Sequence, residues 1–196
     1  MNPSYLTIPP YDKGKRKESF EKVLDILLTE SGQQWSTLVE LGMTRNDNLS
    51  DGHSTPLLAY IALKTQSQLY SVDTYIGSLE VTEKLLRGYG LYDPGKIHLI
   101  LGDARSFLEQ FSGPAIDFLY MDAWSYEPEE REKTEKEALL SFMVAEDWFV
   151  KDSLILIDDV LDPKTYDGKG RLVIPYAINE GYKCLHSGYQ FLFVKA

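Results

Sequence analysis

Acidic residues stand at or next to the ends of five apolar segments of this 196-residue chain. These residues are Glu40, Asp73, Asp103, Asp122 and the adjacent pair Asp158 and Asp159. One acid at the end of a strand often caps the following helix. Acids at five strand ends along one edge of a sheet would repel one another unless cations or hydrogen-bond donors gather there. The pattern therefore predicts a binding site for ligands that are positively charged or donate hydrogen bonds.

The apolar segments and the stretches between them predict an α/β fold. Short apolar runs predict strands at Thr37–Leu41, Gln68–Val72, Ile97–Leu101, Ile116–Met121 and Leu154–Ile157. Helical patterns lie between them: one opens with a hydroxyl cap and a proline at Ser54-Thr55-Pro56, and others cover Ser78–Arg87, Ala104–Phe111 and Glu129–Val150. Strands separated by helices of this length form parallel sheets, in which ligands bind beyond the carboxyl ends of the strands. We expect the acids to meet at that edge.

The two ends of the chain complete the predicted fold. An apolar stripe from Phe20 to Leu28 predicts a first helix that stops at Gly32. The predicted strands Lys183–His186 and Tyr189–Val194 are joined only by Ser187-Gly188, which permits a hairpin but no parallel crossover. We therefore predict one Rossmann-like, doubly wound sheet, mostly parallel, of seven strands with an antiparallel C-terminal β-hairpin. It forms a single domain over residues 1–196, in which residues 1–35 are a lead-in and the first helix.

Composition narrows the function classes. The net charge of −10 disfavours nucleic acid as a partner, because affinity for it comes mainly from neutralised phosphates. The basic cluster Lys13–Lys17 is expected to be a solvated lead-in to the first helix. Apolar runs are too short for a membrane span and the start lacks the apolar core of a signal peptide, so a cytoplasmic location is expected. The lone Cys184 cannot form an intramolecular disulfide, and we expect it in the core.

Taken in order, several of these residues resemble the motifs of class I S-adenosylmethionine-dependent methyltransferases. The matching motifs are Glu40-x-Gly42, Asp73, Gly102-Asp103-Ala104 and Ile116-Asp117-Phe118-x-x-x-Asp122. Asp122-Ala-Trp124 and Asp158-Asp159 resemble the metal-binding positions of divalent-cation-dependent O-methyltransferases of the catechol and sugar or macrolide types. The resemblance extends from about Thr37 to about Val194. It implies two cofactors, S-adenosylmethionine and Mg²⁺ or another divalent cation.

The resemblance also implies which residues bind S-adenosylmethionine. Gly42 would let the cofactor approach the backbone, and the amides at Ser54 and Thr55 would bind its carboxylate. Asp73 would accept hydrogen bonds from both ribose hydroxyls. Asp103 would meet the adenine amino group. The other implied cofactor contacts are Glu40, Tyr75, Ala104 and Asp122, of which Tyr75 and Ala104 would pack against the adenine ring.

The same resemblance implies a metal and acceptor site beside the cofactor. The metal ligands would be Asp122, Asp158 and Asp159, and the ion would acidify the substrate hydroxyl and hold it close. The walls of the acceptor pocket would be Trp124, Tyr126 and Tyr166. Catechol-type enzymes place a basic lysine where this chain has Ser125, so no general base is implied. We predict His53 in that role because histidine titrates near neutrality.

We therefore predict a metal-dependent O-methyltransferase that acts on a small hydroxylated molecule, without nucleic-acid or membrane partners. A homodimer is left open. One alternative keeps the fold, the metal and the cofactor but has a different reaction or none. A nicotinamide-dependent oxidoreductase is disfavoured, because no G-x-G-x-x-G motif opens the first βα turn. A non-enzymatic interaction module would give the strand-end acids no reason to converge.

Overall fold

The computed structural model describes residues 6–29, 35–48 and 52–196. A 3-10 turn, Glu146–Trp148, lies between α5 and β5. The helices and strands, in chain order, are α1 (Lys17–Thr29), β1 (Thr37–Leu41), α2 (Ser54–Thr65), β2 (Gln68–Asp73), α3 (Ile76–Gly88), β3 (Ile97–Leu101), α4 (Ala104–Gln110), β4 (Ile116–Met121), α5 (Arg131–Ala145), β5 (Phe149–Ile157), β6 (Val160–Asp162), β7 (Asp167–Gly168), α6 (Gly170–Asn179), β8 (Lys183–Ser187) and β9 (Phe191–Val194).

Seven strands form one sheet in the order β3-β2-β1-β4-β5-β9-β8. The first five strands of this order pair in parallel, whereas β9 runs antiparallel to both of its neighbours. The predicted doubly wound sheet and its C-terminal hairpin are therefore confirmed. A second, separate hairpin of β6 and β7 was not predicted. The predicted helix Glu129–Val150 is too long at both ends. The helix begins at Arg131 and ends at Ala145, and Phe149 and Val150 belong to β5.

Alternate residues of each strand face two separate apolar layers. Leu38, Phe118 and Leu154 lie side by side on neighbouring strands and pack in the layer formed with α1, α2 and α3. The next residues along these strands, beginning with Val39, pack in the other layer with α4, α5 and α6. Both faces of the sheet are thus covered, which explains why its strands read as continuous apolar runs. A ligand can therefore reach the sheet only at the ends of its strands, where the helices do not cover it.

Three details of the predicted elements change. Leu28, placed on the buried stripe of the first helix, is 37% exposed, whereas Leu27 is 2% exposed. The predicted stop of that helix at Gly32 lies outside the described residues. Helix α2 begins at Ser54 with His53 in the cap position, rather than with a hydroxyl cap. The core prediction for Cys184 is wrong, because this residue is exposed on the edge strand β8.

Within the described part of the chain, no helix combines the length and the apolar character that crossing a membrane requires.

Adjacent leucines test whether α1 belongs to the core. We expect Leu27→Ala to lower the free energy of unfolding by about 2–5 kcal/mol, because it leaves a cavity in the α1 layer. Leu28→Ala is the matched control, and it should cost less than about 1 kcal/mol because the side chain is partly solvated. Urea unfolding measures both values. Equal losses would contradict this placement of α1.

Candidate functional site

A cleft lies beyond the carboxyl ends of β1, β2, β3 and β4. It brings together three of the predicted strand-end acids, Asp73, Asp103 and Asp122. Four other predicted site residues also line it: Gly42, Tyr75, Ala104 and Trp124. The rest of the lining was not predicted to contact a ligand and comprises Met43, Arg45, Val72, Thr74, Gly102, Ala123 and Ser125. The cleft is therefore a place where these residues could hold a ligand.

Gly42 allows the turns after β1 and β4 to meet. Its φ of 95° is in the left-handed region that favours glycine. A Cβ added to this residue would lie 2.6 Å from the carbonyl oxygen of Asp122. The N–H of Gly42 donates to Val72 O at 2.8 Å, and the N–H of Asp122 donates to Leu41 O at 2.8 Å. Glycine, predicted here so that a ligand could approach, is thus also required by the close contact between the two turns.

Asp73 is held by backbone donors and keeps acceptor capacity. Its Oδ2 accepts from the N–H of Met43 at 3.1 Å, and its Oδ1 accepts from the N–H of Tyr75 at 2.8 Å. A carboxylate offers about four acceptor positions, so about two remain for a ligand. These contacts fix the side chain at the end of β2 and suit it for binding a pair of hydroxyls.

Asp103 caps a helix as well as lining the cleft. Its Oδ1 accepts from the N–H of Ser106 at 2.9 Å, at the start of α4. A Cβ added to the neighbouring Gly102 would meet only Ile100 Cγ2, at 3.9 Å, so the backbone here borders open space. Tyr75 stands at the mouth of the cleft and is 65% exposed. These three residues form the side of the cleft opposite the Asp122 turn.

Glu40 lies beneath the cleft and not in its lining. It is fully buried, and Ser71 Oγ donates a hydrogen bond to its Oε2. Its Oε1 has no partner among the described residues. Burial raises the pKa of Glu40 to about 7, although hydrogen bonds from neighbouring hydroxyls act in the opposite direction. The carboxyl group is therefore an internal acid that titrates near neutrality.

The predicted anion-binding amides and general base are buried beside α2. Thr44 and Thr55 bond reciprocally: the N–H of Thr44 donates to Thr55 Oγ1 at 3.0 Å, and the N–H of Thr55 donates to Thr44 Oγ1 at 3.3 Å. Ser54 is 2% exposed and His53 only 1% exposed. Both ring nitrogens of His53 lack partners within the described residues. None of these side chains lines the cleft, so its geometry gives the roles predicted for them no support.

The acids after β4 and β5 converge as predicted. Asp122, Asp158 and Asp159 each have a carboxylate oxygen within 4.8 Å of those of the other two. Two cationic side chains join them. Lys169 Nζ lies 2.6 Å from Asp122 Oδ1 and 2.8 Å from Asp159 Oδ2, and Arg16 Nε lies 2.8 Å from Asp158 Oδ2. We call these five residues the ionic cluster.

The ionic cluster does not fit a divalent ion in the arrangement observed. Mg²⁺ needs oxygens at about 2.0–2.1 Å in octahedral geometry, whereas the space between Asp122 and Asp159 holds the ammonium of Lys169. Burial acts to lower the pKa of Lys169, but the charges of Asp122, Asp159 and Asp158 raise it above its ordinary value. Burial likewise acts to raise the pKa of Asp159, yet Lys169, Tyr189 and Arg16 together lower it. Lys169 is therefore a charged ammonium.

Arg16 and Lys169 were both missed as site residues. Arg16 belongs to the basic cluster that was expected to be solvated, but it is only 9% exposed, so this expectation is wrong for it. Lys169 is 2% exposed and lies between two glycines in a segment with the composition of a turn. Neither shows the periodicity that marks a buried residue, because each is buried by charge pairing. Excess acid at the strand ends was the only indication that such cations were needed.

The three aromatic residues predicted for the acceptor pocket lie in different places. Trp124, with a φ of 70°, lines the cleft. Tyr126 lies outside the lining, where its hydroxyl donates to Glu135 Oε1 at 2.9 Å and accepts from the N–H of Gly168 at 3.2 Å. Tyr166 packs edge-on against Phe191, with ring centroids 5.8 Å apart. Only Trp124 is therefore placed to touch a ligand in this cleft.

The buried acid Glu40 predicts a pH-dependent stability. Between about pH 4.5 and about pH 7 the folded protein keeps a proton on Glu40 that the unfolded chain has lost, so stability falls as pH rises through this window. We expect Glu40→Gln to remove a loss of about 3 kcal/mol. Urea unfolding at about pH 5 and about pH 8 measures the difference. Glu21→Gln, on the exposed side of α1, is the control; an unchanged pH dependence in Glu40→Gln would contradict the assignment.

Comparisons with known proteins identify the fold. No protein-family model matches this chain, and no curated protein matches it by sequence. Solved structures do match. They include the O-methyltransferase NovP, with a TM-score of 0.68, 13% identity and coverage of 92% of this chain and 80% of that one. An O-methyltransferase from Bacillus cereus in complex with SAH has a TM-score of 0.62, 15% identity and coverage of 96% and 84%.

A third match differs in its substrate. It is an rRNA methylase from Streptococcus thermophilus, with a TM-score of 0.59, 15% identity and coverage of 95% of this chain and 99% of that one. At identities this low, a shared structure establishes the fold and leaves the reaction to be argued from the site. The strand order, the antiparallel β9 and these matches agree. The chain has the fold of the class I S-adenosylmethionine-dependent methyltransferases.

Proposed function

We propose that this protein transfers a methyl group from S-adenosylmethionine to a hydroxyl group of a small molecule. The observation that carries the proposal is the cleft at the carboxyl ends of β1 to β4, with Asp73 held at its rim by two backbone donors. In open α/β sheets this edge, near the point where strand order reverses, is where ligands bind. The fold match to O-methyltransferases supports the same conclusion.

The cleft residues fit the parts of the methyl donor. The two unused acceptor positions of Asp73 suit the two ribose hydroxyls. Gly102 presents backbone to open space, and Asp103 beside it would accept from the adenine amino group. Ala104 and the exposed ring of Tyr75 would cover the two faces of the adenine. Met43 and Arg45 line the cleft after β1 and would lie beside the donor's carboxylate.

The residues after β4 would face the acceptor. S-adenosylmethionine supplies the methyl group on a positively charged sulfonium. Asp122 is the carboxylate at this end of the cleft and would accept a hydrogen bond from the substrate hydroxyl. Trp124 would bound the acceptor on one side and exclude water. Much of the rate would come from holding the hydroxyl oxygen in line with the methyl group.

The proposal assigns no step to a metal ion or to His53. The ammonium of Lys169 stands between two of the predicted metal ligands, and His53 is buried outside the cleft. Of the described residues that line the cleft, Arg45, Asp73, Tyr75, Asp103 and Asp122 are ionisable. Asp122 is the one of these beside the predicted acceptor position, and we assign the acceptance of the hydroxyl proton to it.

A small molecule is favoured over RNA as the acceptor. One structural match is an rRNA methylase, so the fold accommodates such a substrate. This chain carries a net charge of −10, however, and RNA binding depends on lysine and arginine neutralising phosphates. The cytoplasmic location stays a prediction, and a homodimer stays open. A same-fold protein that binds the donor without transferring its methyl group is the main alternative, and transfer assays separate it from the proposal.

Donor binding gives the first test. We expect calorimetry to show S-adenosylhomocysteine binding that Asp73→Ala weakens by about a hundredfold or more, because two charge-assisted hydrogen bonds are lost. Asp93→Ala is the matched control: Asp93 also accepts from the N–H two residues on, at 3.0 Å from Gly95, and lies outside the cleft. Equal effects of the two substitutions, or no binding by the unmodified protein, would contradict the proposed donor site.

Methyl transfer gives the second test. The protein is incubated with S-adenosylmethionine carrying a labelled methyl group and with a panel of phenols, sugars and other hydroxylated molecules. We expect label in at least one product, and loss of turnover by about a hundredfold or more in Asp122→Asn with donor affinity retained. Donor binding without transfer to any member would support the non-catalytic alternative, whereas transfer to amines or RNA alone would contradict the proposed acceptor class.

A further inference from the structure

The ionic cluster has a built-in cation where the sequence predicted a metal. Lys169 Nζ reaches Asp122 Oδ1 at 2.6 Å, Asp159 Oδ2 at 2.8 Å and the carbonyl oxygen of Asp122 at 3.0 Å. An ammonium has three donors, so these three contacts use its full capacity. The side chain is 2% exposed, and exchange of this cation for one from solvent would require the chain to move.

Arg16 pairs with Asp158, the acid of the cluster that Lys169 does not contact. Its Nε donates to Asp158 Oδ2 at 2.8 Å, and its second terminal nitrogen lies 3.5 Å from Asp159 Oδ1. The guanidinium also lies over the ring of Tyr189, 5.1 Å from the centroid. Arg16 comes from the segment before α1, whereas the acids come from the ends of β4 and β5. The N-terminal segment therefore contributes a charge to the centre of this edge.

Hydroxyl and amide donors satisfy most of the other oxygens of the cluster. Asp158 Oδ2 also accepts from Tyr120 at 2.5 Å, and its Oδ1 accepts from the N–H of Asp159 at 2.7 Å. Asp159 Oδ1 accepts from the Tyr189 hydroxyl. A metal bound here would have to displace several of these donors as well as Lys169. Lys169 and Arg16 already supply positive charge to these acids without a metal ion.

The backbone delivers Lys169 to this position. Its N–H donates to the carbonyl oxygen of Asp159 at 3.2 Å. The preceding residue, Gly168, has a φ of 114°, and an added Cβ would come within 1.9 Å of the same oxygen. The hairpin of β6 and β7 can approach the turn after β5 this closely only because that residue is glycine. Lys169 is thus fixed by the fold next to the acids.

We propose that Lys169, assisted by Arg16, takes the place of a divalent ion, so that the acid cluster is complete without a metal. Lys169 is a positioning residue: it ties the turn that carries Asp122 into the cleft to the turn that carries Asp159. The inference concerns the folded protein alone. It can be tested without a methyl donor or acceptor, so failure of the proposed transfer would leave it standing.

Manganese binding tests the proposal directly. Mn²⁺ is titrated into the full-length protein and followed by electron paramagnetic resonance, with Mg²⁺ as competitor. We expect the unmodified protein to show no binding that depends on the cluster up to millimolar concentrations. Lys169→Met should bind Mn²⁺ at least about tenfold more tightly, because the acids lose their internal cation. Lys164→Met, an exposed lysine on the same hairpin, is the control and should not change the titration.

Thermal unfolding gives an independent readout. We expect Lys169→Met to lower the melting temperature by on the order of 10 °C, and Mg²⁺ to restore part of that loss in this variant but not in the unmodified protein. If Lys169→Met does not fold, Lys169→Gln, which keeps a hydrogen-bond donor, takes its place. Cluster-dependent binding in the unmodified protein, abolished by Asp159→Asn, would overturn the proposal. So would a folded Lys169 variant that gains no ion.

Discussion

The carboxylates at one edge of the sheet can be buried only because cationic side chains compensate their charge. A parallel sheet places the ends of β4 and β5 side by side, and each ends on carboxylates. Asp158 is completely buried, so its charge would be very costly without partners. Arg16 and Lys169 supply those partners from opposite directions. Losing one partner of such a pair costs about 3–5 kcal/mol, even though an intact buried pair adds little net stability. These ion pairs hold both the lead-in to α1 and the end of the β6–β7 hairpin against the sheet.

The same edge contains two regions that treat negative charge differently. In the cleft, Asp73 and Asp103 are held by backbone N–H groups, which orient a carboxylate without cancelling its charge. In the ionic cluster, side-chain cations cancel most of the charge. Asp122 belongs to both regions, since it lines the cleft and bonds to Lys169. A positively charged ligand would therefore be attracted most strongly on the Asp73 side of the cleft. Asp122, whose charge is partly compensated by Lys169, would lie between the methyl donor and the methyl acceptor.

Local patterns in the sequence predict the sheet and the cleft because they act through neighbours along the chain. Continuous apolar runs require strands covered on both faces, and the short link between β8 and β9, residues 188–190, forbids a parallel crossover. The acids at strand ends then fall at one edge by topology alone. Arg16 and Lys169 could not be predicted in the same way. Asp122 is 47 residues from Lys169, and Asp158 is 142 residues from Arg16. A basic residue in a polar turn also has the same composition whether it is solvated or paired.

Other differences have equally local causes. The resemblance implied that Tyr126 and Tyr166 wall the pocket, but Tyr126 accepts a hydrogen bond from Gly168 in the unpredicted hairpin of β6 and β7, and Tyr166 packs against Phe191. His53 was predicted as the general base from its residue type, whereas its place before α2 buries it. In both cases the sequence shows the type of side chain but not its surroundings. Surroundings depend on tertiary packing, which no window of sequence contains.

The partnership of Arg16 and Asp158 spans 142 residues, and that of Ser19 and Gln190 spans 171. On a ribosome that adds about 5–20 residues per second, the beginning of the chain would wait roughly 10 to 40 s for the strands that receive it. A hydrophilic opening segment suits that delay, because lysine and arginine stay hydrated while unattached. Arg16 can therefore meet its carboxylate partners only after the end of β5 has been synthesised, and a side chain that is well hydrated suits that interval.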